Sequence, residues 1–148
     1  VLPEGIEAGL VGALAVALVF LLWDLSQGEA MRTPSRLGSL LVLGSDALRA
    51  HDPVEGAAAL YHAVHVAAWV ALGFAGSALM GYAERRRSRW LPPLGALLAI
   101  APLAALDAWV RSAQLEHLHL WVGGLVGILA MGAFLAWRHP GAVRRNAD

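Results

Sequence analysis

No Asp, Glu, Lys or Arg stands between Glu55 and Glu84. The surrounding stretch, Asp52 to Arg87, runs apolar for the thickness of a bilayer. It opens on Asp52-Pro53-Val54-Glu55, a cap residue followed by proline and then an acid, and closes on Arg85-Arg86-Arg87. In lipid such a segment is satisfied only as a helix, because each backbone N–H and C=O must find its partner inside the segment. Three shorter apolar runs accompany it. The first is uncharged from Ala8 to Trp23. The third begins at Trp90-Leu91-Pro92-Pro93, with Pro102 inside it predicting a bend. The fourth runs from Glu116 to His139 and stops at Pro140-Gly141. The expected spans are about 5–25, 53–87, 91–111 and 116–139, in a single membrane domain covering 1–148.

The connection between the first two spans has its own pattern. Thr33-Pro34 reads as a helix cap and first turn, and Leu37, Leu40, Leu41 and Leu48 follow at helical spacing. Too short to span and too apolar for a free loop, 33–50 is expected to be an amphipathic helix in the interface or over one end of the bundle. The fold class is therefore all-α: a four-transmembrane-helix bundle with an interfacial amphipathic helix between spans 1 and 2.

Composition agrees. The chain is 58% hydrophobic and 15% charged, below the quarter usual for soluble domains. A formal net charge of zero gives no reason to expect a nucleic-acid partner. Absence of cysteine excludes disulfides, thiolate chemistry, cysteine-ligated iron–sulfur clusters and covalent haem attachment. Glu4 and Glu7 replace the basic region of a secretory leader, so the first run reads as a retained span.

Arginine sets the orientation. Arg85, Arg86, Arg87 and Arg89 share a side with Arg138, Arg144 and Arg145 in a four-span chain, and that side is expected to be cytoplasmic, with both termini. The setting is a bacterial inner membrane. Trp23, Trp90, Trp109, Trp121 and Trp137 fall near span ends as an aromatic belt, whereas Trp69 lies well inside the second span.

The same orientation gathers polar residues at the outer end: His62 and His65 on span 2, Glu116, His117 and His119 on span 4, with Asp24 and Asp107 closing spans 1 and 3. No comparable cluster is expected at the arginine end. His62, His65, His119 and Asp107 are the candidate site, since ionisable groups within a membrane tend to face the bundle interior. Ligation of haem or a chlorophyll-type pigment, binding of Zn²⁺, and quinone binding or proton relay all stay open, beside a structural role in which the imidazoles hydrogen-bond between helices. A His-x-x-His pair does not choose among them. No nucleophile elbow, H-E-x-x-H or phosphate loop is present, so no enzyme activity is expected.

Two stretches carry a likeness: Gly9-Leu10-Val11-Gly12 through Asp24-Leu25 with Met31-Arg32-Thr33-Pro34 and Leu37-Gly38, and Ala130-Met131-Gly132 through Trp137-Arg138-His139-Pro140. With the region around His65 and the acid at Asp107, they resemble a family of small four-span bacterial membrane proteins with no established activity. Gly124 stands where that family would place Asn. The resemblance implies topology alone. The functional expectation is a non-catalytic accessory subunit, with no cofactor required, that packs in the bilayer against a larger photosynthetic or respiratory complex. The alternative is an electron-transfer protein holding haem, bacteriochlorophyll or quinone.

Overall fold

The computed structural model describes residues 2–44, 46, 54–86, 90–112 and 120–143, with the backbone alone at 111, 112 and 143. Six helices follow in order: α1 (Leu2–Ser26), α2 (Arg32–Leu43), α3 (Ala57–Arg86), α4 (Leu91–Ser112), α5 (Leu120–Arg138) and the single turn α6 (Pro140–Val143). Among the described residues there is no strand. Helices α1, α3, α4 and α5 are each long and apolar enough to cross a membrane.

Trp69 sits where three of these helices meet. Its indole lies over Gly12 of α1 and Gly127 of α5, and a Cβ at either glycine would collide with the ring. Gly9 lies against the Trp69 carbonyl and the Val70 Cα, and Gly73 against the backbone of Gly5 and Gly9. Helices α1 and α3 therefore touch backbone to backbone. Glycines of α5 are used in the same way: Gly123 receives Phe20, and Gly127 receives Val16 as well as Trp69. Lipid tails are as apolar as these side chains, so burial from water contributes little to this association. Close van der Waals contact, which small residues permit, carries it. Ala8, Ala13, Val16, Phe20, Met131 and Leu135 complete the core.

Helix α2 is fixed by its neighbours. It buries Thr33, Pro34, Leu37, Gly38, Ser39 and Leu40, and leaves Leu41, Val42 and Leu43 exposed. Gly38 rests on the Ala57 backbone at the start of α3. Ser39 Oγ donates to the Ser35 carbonyl at 2.9 Å and accepts from the Val54 N–H at 3.0 Å. The cap differs from the sequence expectation. The flanking residue is Met31, in the left-handed conformation at φ 68°, and it makes no side-chain cap. Thr33 is the second helical residue. Its N–H and hydroxyl donate instead to the two carboxylate oxygens of Asp24, at 2.8 and 2.6 Å. A carboxylate at the end of α1 is badly placed for that helix's own dipole, but here it serves the first turn of the next helix.

Boundaries shift elsewhere. Helix α3 begins at Ala57, after a turn through Glu55 and Gly56. The expected cap Asp52-Pro53, the turn 87–89, Glu116, His117 and His119 lie outside the described residues. Helix α4 continues through Pro102 and stands at the side of the α1–α3–α5 core, with most of its residues exposed. Trp69 is 8% exposed, Trp23 and Trp109 41%, Trp90 71% and Trp137 72%, and Trp121 is half-buried.

Two glycines give opposite expectations. Gly9→Ala should destabilise by about 1–3 kcal/mol, since backbone must move to admit the methyl. At Gly132 a Cβ meets nothing within 4 Å, so Gly132→Ala should be neutral or gain up to about 1 kcal/mol from helix propensity. Thermal unfolding in mild detergent, followed by Trp fluorescence, distinguishes the two; equal losses would contradict the packing described.

Candidate functional site

At the α2 end, the aromatic and imidazole rings of Tyr61, His65 and Trp69 succeed one another every fourth residue along α3. The first two rings stack at 5.3 Å between centroids, and the next two meet edge-on at 6.2 Å. Both nitrogens of His65 are engaged. Nε2 lies 3.2 Å from the Ala13 carbonyl of α1, and Nδ1 lies 3.3 Å from the Tyr61 hydroxyl. A carbonyl only accepts, so the hydrogen is on Nε2, and Nδ1 accepts from Tyr61. The imidazole fastens α3 to α1. To ligate a metal or haem through either nitrogen, it would first have to release one of these bonds.

His62 and His65 share a small cavity of about 140 Å³ with Asp24, between α1, α2 and α3. The Asp24 carboxylate is turned to Thr33 and is 1% exposed. Asp107 is partly buried on α4, apart from that cavity's lining. His119 lies outside the described residues. Among the described residues, no three His, Cys, Asp or Glu side chains converge to hold a metal ion.

The arginine end corrects the expectation that it carries no polar cluster. His139, just beyond α5, sits between two carboxylates: Nδ1 is 2.9 Å from Glu84 Oε2 on α3, and Nε2 is 2.7 Å from Glu4 Oε1 on α1. The Glu4 contact lies off the line needed for a hydrogen bond. The other oxygen of Glu4 accepts from Ser77 Oγ at 3.0 Å. Beside them Arg138 pairs with Glu7. The side chains of His139 and Glu4 are 15% and 16% exposed. Since the two imidazole nitrogens point away from each other, the two carboxylates cannot meet His139 at a single cation. The arrangement is a bridge, and it joins the ends of three helices.

His139 is not among the candidate residues that the sequence brings forward, because a histidine at a helix end beside water resembles a solvated cap. One signal was available. In an antiparallel chain, the start of α1 meets the ends of α3 and α5. Glu4, Glu84 and His139 all occupy those ends, and Ser77 and Glu84 are seven residues apart on one helical face.

No family model, curated protein or solved structure matches this chain.

His139→Leu should cost about 2 kcal/mol, because it removes the imidazole that bridges two partly buried carboxylates. Glu4→Gln in the same background should recover part of that loss. A double-mutant cycle on thermal stability in detergent measures the coupling, and strictly additive effects would show that the bridge is not formed.

Proposed function

We propose that this chain is a non-catalytic integral membrane subunit whose role is to dock, through α4, onto another membrane protein. The partner expected from the sequence is a larger photosynthetic or respiratory complex of a bacterial inner membrane. One observation carries the reading. Ala101, Ala104, Ala105 and Ala108 are all exposed on α4. They follow one another at helical spacing and form a smooth stripe that a second helix can approach closely. The glycine faces of α1 and α5 are consumed inside the chain; α4 offers a close-approach surface facing outward, as does the row Ala63, Ala67 and Ala71 on α3. Exposed Trp90 and Trp109 flank the stripe, as interfacial anchors would.

In this reading the four long helices form the membrane bundle. Helix α2 is the interfacial helix between spans 1 and 2, and the arginine end with both termini is cytoplasmic. The internal hydrogen bonds of His65 support a structural role for that residue over a ligating one. The likeness to small four-span bacterial membrane proteins accords with the topology.

Ala105→Leu should leave thermal stability within about 0.5 kcal/mol, as expected of a lipid-facing change, and should abolish co-purification with the partner in mild detergent. A wild-type chain that always migrates alone would contradict the docking role. Orientation has its own test. The chain has no cysteine, so Arg86→Cys supplies a single thiol. A membrane-impermeant maleimide should label it only after the membrane is opened; labelling of intact cells from outside would reverse the topology.

A further inference from the structure

The bridge at the arginine end leaves two atoms without a hydrogen-bond partner among the described residues: Nε2 of His139 and Oε1 of Glu4. Both are shut off from solvent, and they lie 2.7 Å apart. The atoms beside them are committed. His139 Nδ1 is hydrogen-bonded to Glu84 Oε2, and Glu4 Oε2 accepts from Ser77 Oγ.

Counting hydrogens shows what the bridge requires. An ionised carboxylate only accepts, and a neutral imidazole carries one N–H. Two contacts between one imidazole and two carboxylates need two hydrogens. With the single hydrogen on Nδ1, the bare Nε2 faces a carboxylate oxygen lone pair to lone pair, where no water can intervene. One further hydrogen, carried by the imidazole or by Glu4, turns that contact into a charge-assisted bond after a small rotation of either side chain. The other charged groups of the packed elements do not supply it. On α1, Glu7 pairs with Arg138 of α5. On α3, Arg85 and Arg86 are exposed, with Arg86 over the Tyr82 ring. Helix α6 has no ionisable side chain.

We propose that Glu4, His139 and Glu84 form a proton-binding site: the ends of α1, α3 and α5 close on one proton and part when it leaves. The sign of the pH dependence follows from linkage. Below about pH 6.5 a free imidazole is already charged, so closed and open forms hold the same proton and pH does not choose between them. Above it the closed form holds one proton more, and raising the pH favours opening. In the topology proposed above the site lies on the cytoplasmic side and answers to internal pH.

The test unfolds the full chain with SDS in mixed micelles at a series of pH values from 6 to 9, beside Glu4→Gln and His139→Gln. The amide introduced by Glu4→Gln brings its own hydrogen: it can donate to Nε2 while its oxygen accepts from Ser77, so that variant closes without an added proton. The unfolding equilibrium constant of the wild type should rise above about pH 6.5, by up to about tenfold per pH unit for one proton. Both variants should show a flatter profile. His51, His62, His65, His117 and His119 are common to all three proteins, so their titration cancels in the comparison. A wild-type profile parallel to that of Glu4→Gln would overturn the proposal, and so would a wild type that grows more stable as the pH rises. If His139→Gln fails to fold, the comparison with Glu4→Gln decides alone.

Discussion

The contact on which the rest depends is Trp69 seated among Gly9, Gly12 and Gly127. In water a tryptophan of this size would be driven inward by its apolar area. In a bilayer that drive is absent, because the surroundings are already apolar. What remains is shape. Glycines on two helices provide a slot that a ring from a third helix fills, and each helix approaches the others closely enough for contact attraction to accumulate. Helices α1, α3 and α5 are organised by this slot. Helix α4, which contributes nothing to it, stands to one side and leaves both a cleft beneath it and a smooth face outside it. The proposed docking surface follows from that exclusion.

Polar groups perform the complementary task of fixing register. Each acts where two or three helices meet: Asp24 on Thr33, His65 on Ala13, and His139 between Glu4 and Glu84. In a medium where any apolar surface packs acceptably on any other, a hydrogen bond that forms at only one rotation and height selects a single arrangement. The two ends differ in kind. At the α2 end a carboxylate holds a threonine nine residues on and an imidazole holds a backbone carbonyl, whereas at the arginine end a histidine joins acids from two other helices. These groups are better understood as fasteners than as a reaction centre.

The four apolar helices were legible because hydrophobic length is a local property, readable from residues in sequence. Trp69 also declared itself, as the tryptophan that did not fit the interfacial belt. The Gly5-Gly9-Gly12 and Gly123-Gly127 faces could be seen as close-approach surfaces, though not which ring each would receive. The Glu4–His139–Glu84 bridge was missed, since its members are far apart in the chain and each alone resembles a solvated helix end. Asp24 read as the residue that ends a span, and its service to the next helix depends on a turn whose path no local pattern specifies. The clustering of His62 and His65 near Asp24 followed from topology, but the engagement of both His65 nitrogens required the helix register.

The central claim is that the intramembrane histidine is a structural bolt and not a ligand. Nitrogen-15 NMR of the purified protein, labelled at histidine and assigned with His65→Phe, tests it most directly. The geometry predicts the His65 tautomer with hydrogen on Nε2 and a bare Nδ1, unchanged when haem or divalent metal is added. A bare Nε2, or a resonance that moves to the metal-bound range on such addition, would contradict it.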